Sequence, residues 1–167
     1  DKIRHRAKQI QIIPNGVDMN KFNEVSREEA LQRLGIPNDG KKIILFPADE
    51  NRLSKNFVFL EKVLSRFKKK FDFTVLSFKG GKVSPELVPY YFYAADLAAF
   101  PSLSEGSPNV IKEAMACNCL IFSSPCGDVP WLLKDVRGSK VLPLQSGEWI
   151  QALHEFLSGK VSRQISN

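Results

Sequence analysis

Short apolar runs alternate with amphipathic stretches along most of this chain. Several of the runs contain no polar residue, which is typical of strands buried on both faces of a sheet. The amphipathic stretches repeat apolar residues at spacings of three and four, which favours helices with one buried face. We predict six strands, at Gln9–Ile13, Lys42–Phe46, Phe73–Phe78, Asp96–Phe100, Leu120–Ser123 and Val141–Leu144. We predict five helices, at Glu28–Leu34, Phe57–Phe71, Pro85–Ala94, Pro108–Asn118 and Glu148–Leu157.

The alternation of strands and helices predicts an α/β fold, a Rossmann-like parallel sheet with helices on both faces. Sheets of this kind bind ligands outside the carboxyl ends of their strands, often where a helix begins. The segments that follow the predicted strands hold much of the chain's glycine, proline, asparagine and aspartate, and they read PNGVD, PADENRLSKN, KGGKVSP, PSLSEGSPN and SPCGDVP. We therefore expect these segments to form the functional site.

Composition and length narrow the class of protein. The 167 residues are 43% hydrophobic and 25% charged, an ordinary globular profile that excludes collagen-like and disordered chains. No stretch approaches the ~18 consecutive apolar residues of a membrane span. Cys117, Cys119 and Cys126 are odd in number and close together, which argues against disulfides and zinc ligation and favours buried, reduced thiols in a cytoplasmic protein. Because the chain starts at Asp1 within a basic segment, we expect it to be a piece of a longer polypeptide.

The net charge of +6 favours anionic partners such as phosphates or acidic lipid headgroups. A solvated basic surface explains the same charge runs equally well. No aromatic residues interleave with the basic ones in a recognisable module, so we expect no nucleic-acid partner. The basic residues lie mainly in two groups, Lys2, Arg4, Arg6, Lys8 and Lys68, Lys69, Lys70.

The most informative segment runs from Ser102 to Cys117. Ser107 is a natural N-cap and Pro108 a natural first helical residue, so we expect free backbone N–H groups just beyond them, ready for a phosphate. Glu105 precedes this helix and Glu113 lies on its polar face, so two carboxylates could grip hydroxyls at two places on one ligand. A capped surface helix with a solvated glutamate is the alternative interpretation.

The segment EGSPNVIKEAMACN resembles the E-x7-E signature of retaining GT-B glycosyltransferases of family 4. Four more segments are similar to this family in the same order along the chain. They are IIPNGVDMNKF at 12–22, FPADENRLSKN at 46–56, AAD at 94–96 and GDV at 127–129. The resemblance implies that the chain is the C-terminal half of a GT-B fold, which in this family binds the sugar nucleotide.

The resemblance also implies a role for individual residues. Three residues would be catalytic: Glu105, Arg52 and Lys55. Glu105 would hydrogen-bond hydroxyls of the donor sugar near the reacting carbon, and the two cations would stabilise the negative charge of the departing diphosphate. Glu113 would hold the ribose hydroxyls. Donor-binding groups would come from the start of the helix and from the segment after the third strand, at Gly106, Ser107, Pro108, Asn109, Val110, Lys82 and Val83. The reaction implied uses no cofactor and no metal; its substrate is a nucleoside diphosphate sugar, UDP- or GDP-linked.

Some features depart from the family or give weaker signals. Many members have a further helix and strand between the GGK segment and AAD, so the groups that bind the base are assigned only by proximity, to the backbone of Lys82 and Val83. Gly80-Gly81-Lys82 is not a P-loop. Leu76 stands where the first glycine of that motif is required, and Val83 stands where the motif has Ser or Thr. Asp128 either approaches the site or caps a short turn at 129–133, and we favour the cap.

These observations predict three regions, 1–18 as inter-domain linker and first strand, 19–159 as the nucleotide-sugar-binding domain, and 160–167 as a frayed tail or crossover segment. The expected partners are a nucleotide-sugar donor, an N-terminal acceptor domain of the same polypeptide and, through the full-length protein, the inner face of a membrane. Synthesis of cell-surface polysaccharide or glycoconjugates is a common setting for such enzymes. A non-catalytic binding or scaffolding module of the same fold, or an epimerase on the same architecture, is the alternative.

Overall fold

A computed structural model of the chain describes residues 13–163. Five parallel strands form one sheet in the order β2-β1-β3-β4-β5. The strands are β1 (Lys42–Phe46), β2 (Phe73–Ser77), β3 (Leu97–Phe100), β4 (Ile121–Ser123) and β5 (Lys140–Val141). The helices are α1 (Arg27–Leu34), α2 (Phe57–Leu64), α3 (Val88–Ala94), α4 (Asn109–Ala116), α5 (Val129–Leu132) and α6 (Ser146–Leu157).

Side chains alternate between two cores, one on each face of the sheet. On one face, Ile43, Ala98 and Ile121 pack with residues of α1, α3 and α4. On the other, Ile44 and Phe122 pack with residues of α2 and α6. The central strands β1, β3 and β4 are thus buried on both sides, which explains their apolar runs, whereas the edge strands β2 and β5 are half-buried. The architecture confirms the predicted Rossmann-like fold.

Several predicted boundaries are wrong. The helix predicted to reach Phe71 ends at Leu64, yet a series of turns from 65 to 70 keeps Phe67 in the core, so the apolar stripe continues without a helix. The fifth strand of the sheet is shorter than the predicted Val141–Leu144, because Pro143 has no N–H to donate to a ladder.

The first predicted strand, Gln9–Ile13, lies outside the described residues except for Ile13, which is not in a strand. Residues 1–12 of the predicted linker, which include its basic group, and residues 164–167 of the tail also lie outside the described residues. Within residues 13–163, no helix is both long and apolar enough to cross a membrane.

The amino edge of the sheet holds a cavity of about 850 Å³, and two charged residues of its wall, Asp96 and Arg163, are hydrogen-bonded to the backbone. The Asp96 carboxylate accepts hydrogen bonds from the Ile43 N–H at 2.7 Å and from Arg27 at 3.3 Å. The Arg163 guanidinium donates to carbonyls at the carboxyl ends of α3 and α4, those of Phe92, Tyr93, Ala95 and Cys117. These contacts satisfy carbonyl groups that a helix end leaves without internal partners.

Two of the three cysteines are core residues. Cys117 and Cys119 are buried, and burial raises the pKa of each thiol to about 12, so both remain protonated at neutral pH. Cys126 is half-buried and lies at the opposite edge of the sheet, where its Sγ contacts the Ser102 carbonyl at 3.0 Å. The prediction of core thiols is therefore correct for two residues and wrong for Cys126.

Candidate functional site

Three loops meet at the carboxyl edge of the sheet, the 47–56 loop after β1, the 101–108 loop after β3 and the 124–128 loop after β4. They meet because β3 lies between β1 and β4 and all three strands point the same way. The 101–108 loop, which carries Glu105, therefore has a neighbouring loop on each side.

On one side, the 47–56 loop is bonded to the Glu105 loop. The N–H of Leu103 donates to the Ser54 carbonyl at 2.8 Å, and the Asn56 amide donates to the Pro101 carbonyl at 3.2 Å. Asn56 has a φ of 60°, a left-handed conformation that asparagine tolerates better than most residues. Lys55 and Glu105, both predicted to be catalytic, form an ion pair with Nζ and Oε1 2.5 Å apart.

On the other side, the 124–128 loop is bonded to the same segment. The Ser124 hydroxyl donates to the Ser102 carbonyl at 2.6 Å, and the N–H of Asp128 donates to the Gly106 carbonyl at 3.0 Å. Between these contacts, Gly127 approaches the Glu105 loop so closely that a Cβ atom would lie 1.8 Å from the Gly106 oxygen. The close approach explains the glycine, which also has a φ of +56°.

Helix α4 begins one residue later than predicted. Its N-cap position is occupied by Pro108, and the Ser107 side chain makes no capping hydrogen bond. The Ser107 hydroxyl instead donates to Asp128 Oδ2 at 2.6 Å and accepts from Lys112 Nζ at 2.7 Å. The predicted Ser107 cap is thus wrong, because the hydroxyl has a charged group on each side that competes with the backbone.

The prediction for Asp128 is also wrong. Asp128 does stand at the start of α5, but its carboxylate makes no capping bond there and is directed to Ser107 instead. The first-turn N–H groups of α4, at Asn109 and Val110, have no acceptor within their own helix.

A cavity of about 560 Å³ opens between the 47–56 loop, the segment after β2 and the start of α4. Four of the predicted site residues line it: Arg52, Lys55, Val83 and Val110. Glu105 joins the site through its ion pair with Lys55. Gly106, Ser107 and Asn109 are exposed, Pro108 is buried, and none of these four residues lines the cavity. The Lys82 side chain is exposed and does not line the cavity.

The sequence did not point to three other residues of the wall, Asp49, Asn51 and Phe78. The polar run after β1 was the available signal for the first two. The Asp49 carboxylate accepts hydrogen bonds from the backbone and side chain of Asn51, at 3.0 and 3.3 Å. Phe78 packs edge-on against Tyr91 of α3, which connects this wall to the core.

Glu113 lies one turn after Val110 on α4, and residues three apart on a helix share a face. It is half-buried, and desolvation raises the pKa of its carboxyl above the usual value. A carboxylate held in such a place gains more from hydroxyl donors than one in water.

The cations of the site differ in how they are paired. Lys55 is bonded to Glu105, and the two side chains are 14% and 18% exposed. Among residues 13–163, no ion pair includes Arg52, whose side chain lines the cavity and is exposed. The arrangement can receive a polyanion beside a helix start, with a carboxylate next to it that accepts from hydroxyls.

Comparison with known proteins agrees with this architecture. Residues 61–159 match the family described as glycosyl transferases group 1. TuaC of Bacillus subtilis, assigned to teichuronic acid biosynthesis as a glycosyltransferase, is 30% identical over 98% of this chain and 46% of its own length. The chain thus spans about half of this relative.

Two solved structures have the same fold. The C-terminal domain of LpcC, a glycosyl transferase group 1 protein from Francisella tularensis, is 19% identical, with a TM-score of 0.69 over 87% of this chain and 89% of that domain. HepE from Anabaena, solved with UDP and glucose, is 17% identical, with a TM-score of 0.63 over 87% of this chain and 46% of its own. The match over residues 61–159 and the shared fold lead to one conclusion: this chain belongs to the glycosyl transferases group 1 family and has the fold of the C-terminal half of a GT-B glycosyltransferase.

Proposed function

We propose that this chain is the donor-binding half of a retaining, metal-independent glycosyltransferase that uses a nucleoside diphosphate sugar. The observation that carries the proposal is the convergence of Arg52, Lys55 and the first turn of α4 at one cavity on the carboxyl edge of the sheet, with Glu105 paired to Lys55. The cavity volume of about 560 Å³ is within the range of small-molecule sites.

In this proposal the diphosphate lies between Arg52, Lys55 and the N–H groups of Asn109 and Val110. When the bond between the anomeric carbon and the diphosphate breaks, its electron pair stays on the departing oxygen, and fixed cations stabilise the charge that develops there. Arg52 offers a planar pair of donors to two phosphate oxygens, and Lys55 a point charge.

Glu105 and Glu113 hold the two ends of the donor. Glu105 accepts hydrogen bonds from sugar hydroxyls while Lys55 keeps its carboxylate oriented, and Glu113 accepts from the ribose. The backbone near Lys82 and Val83 meets the base. The acceptor comes from an N-terminal domain of the same polypeptide, so we expect this chain alone to bind the donor and turn it over poorly. TuaC's assignment supports polysaccharide or glycoconjugate synthesis as the setting.

A thermal-shift panel with UDP, GDP, ADP and CMP, with and without magnesium, tests donor binding. A ligand that binds only the native state raises the melting temperature. We expect a magnesium-independent rise with UDP or GDP. A folded chain that responds to none of these nucleotides at millimolar concentration contradicts the proposal.

The diphosphate role is tested with Arg52→Ala and the control Arg137→Ala, which removes an exposed cation from the loop before β5. We expect Arg52→Ala to weaken binding of UDP or GDP about tenfold, the scale of one hydrogen bond to a charged group. Binding of uridine or guanosine should not change. Equal losses for the nucleotide and the nucleoside would show that Arg52 does not meet the diphosphate.

Whether the full-length polypeptide is catalytically active is tested by measuring the release of nucleoside diphosphate from the sugar nucleotide in the presence of acceptor. A protein that binds the donor but releases nothing would be a non-catalytic nucleotide-sugar-binding module.

A further inference from the structure

The segment from Glu105 to Ser107 is held by its neighbour in the 124–128 loop through both backbone and side chain. The Asp128 N–H donates to the Gly106 carbonyl at 3.0 Å, and the Asp128 carboxylate accepts from the Ser107 hydroxyl at 2.6 Å. The two bonds fix consecutive residues of the segment, so they define its orientation as well as its position.

Ser107 has a charged group on each side. Lys112 Nζ donates to the Ser107 oxygen at 2.7 Å and to the Asn15 carbonyl at 2.9 Å, while Asp128 accepts the hydroxyl hydrogen. A hydroxyl has one proton to donate, and here that proton is directed to Asp128. The Ser107 side chain therefore has no proton left to donate to a ligand, and only its backbone can do so.

The Asp128 carboxylate is not fully satisfied by the protein. Its Oδ1 atom is buried and has no hydrogen-bond partner among residues 13–163. A buried acceptor without a partner lowers stability, so packing alone does not explain an aspartate here. Its other oxygen, however, gives Ser107 a charge-assisted bond that an apolar residue could not provide.

We propose that Asp128 is a positioning residue for the donor sugar, which acts through Ser107 to hold the Glu105–Ser107 segment in its binding conformation. This inference rests on the proposed donor-binding function and adds to it a residue that touches neither the sugar nor the nucleotide. Because Arg52, Lys55, Glu113 and the first-turn N–H groups of α4 hold the diphosphate and the ribose, loss of Asp128 affects recognition of the sugar most.

The test compares dissociation constants for UDP-glucose and UDP, and for GDP-mannose and GDP, by calorimetry on the full chain. We expect Asp128→Ala to raise the dissociation constant of the sugar nucleotide about tenfold. The dissociation constant of UDP or GDP should rise by less than about twofold. Asp128→Asn keeps an oxygen that accepts from Ser107 and is expected to restore most of the affinity. Asp135→Ala, which removes an exposed carboxylate after α5, is the matched control.

The effect must also disappear when Ser107 is already absent. In a Ser107→Ala background, Asp128→Ala is expected to add little, because residues that act through one another are not additive. If Asp128→Ala does not fold, Ser107→Ala, which removes the other partner of the same hydrogen bond, is expected to weaken binding of the sugar nucleotide selectively in its place.

Each remaining outcome counts against the inference. Asp128 does not position the sugar-binding segment if Asp128→Ala weakens binding of the sugar nucleotide and of the nucleoside diphosphate equally. The same conclusion follows if Asp128→Asn restores no affinity, or if the effects of Asp128→Ala and Ser107→Ala are fully additive. Donor binding itself would stand in each case. Wild-type protein that binds none of the four ligands would overturn the donor-binding function, and this inference with it.

Discussion

The two edges of the sheet both carry cavities and charged residues, but they use the charges differently. At the amino edge, Arg163 is bonded to four carbonyls and Asp96 to the backbone of β1 and to Arg27. At the carboxyl edge, Arg52 lines the cavity and enters no ion pair among residues 13–163. The larger cavity, about 850 Å³ against about 560 Å³, thus has an arginine and an aspartate in its wall that are already bonded to the backbone of the fold.

The difference shows why size alone is a poor guide to function. A charge that bonds to helix ends and strand starts contributes to the stability of the fold. A charge that the fold holds in place without a partner is ready for a ligand. Substitutions at the amino edge should therefore lower stability alone, whereas substitutions at the carboxyl edge should also lower binding.

Gly127→Ala should have the largest effect and tests whether the carboxyl-edge loops are tightly packed. The new Cβ would lie 1.8 Å from the Gly106 oxygen, at a φ of +56°. We expect a loss of about 3 kcal/mol in the free energy of unfolding, from strain and overpacking together, and loss of donor binding. Urea denaturation measures the first and calorimetry the second.

The control is Gly35→Ala, whose φ is +65° but whose Cβ would have nothing within 4 Å. We expect it to cost about 1 kcal/mol, the left-handed strain alone. Equal losses in the two variants would mean that the close approach of the loops contributes nothing.

Lys55→Met should lower both stability and binding. It leaves the Glu105 carboxylate, which is only 18% exposed, without its cation. We expect unfolding free energy to fall by about 2 kcal/mol, and Glu105→Gln in the same chain to recover part of it. The control is Lys140→Met, which removes an ion pair with Glu155 that has the same 2.5 Å separation but is more exposed. This variant should lose less unfolding free energy. A larger loss at Lys140 would contradict the assignment of a buried site pair.

Asp96→Ala tests the amino edge. The variant leaves the Ile43 N–H without its acceptor, and we expect unfolding free energy to fall by about 1–2 kcal/mol. Nucleotide affinity, measured below the new melting temperature, should not change. A clear change in affinity would show that the two edges are not independent.

Glu113→Gln should have the smallest effect on stability, and the size of that effect depends on pH. Burial raises the pKa of Glu113 in the folded chain, so the native state binds its proton more tightly than the unfolded state does. The ionised carboxylate therefore destabilises the fold above its raised pKa, and this cost disappears as the pH falls below the unfolded value. We expect the variant to melt slightly higher than wild type at pH 7, with no gain near pH 4, and to bind UDP or GDP more weakly. A gain that grows as the pH falls would contradict the burial of this carboxyl.

The sequence predicts the sheet well because its strands are encoded by local apolar runs. The strands Lys42–Phe46 and Leu97–Phe100 appear within one residue of their predicted bounds. Arg52, Lys55 and Glu105 lie in loops that follow strands and Glu113 lies within α4, but their predicted roles came from the family resemblance rather than from these positions.

The contacts between the loops could not be predicted. Lys55 pairs with Glu105 across 50 positions of the chain, and Ser107 bonds to Asp128 across 21. Ser107 has the local signature of a cap, but two charged side chains from elsewhere in the fold compete for its hydroxyl and win. Phe78 and Asp49 join the cavity wall only because β2 and β1 are neighbours in the sheet.

The most direct test of donor binding at the carboxyl edge is to map the amide chemical-shift changes that UDP and GDP cause in the isotope-labelled chain. We expect the largest changes at Gly106, Asn109 and Val110, around the start of α4, with little change at Ser26, Asn118 and Arg163 beside the other cavity. Changes concentrated at the amino edge, with the start of α4 unaffected, would contradict donor binding at the carboxyl edge.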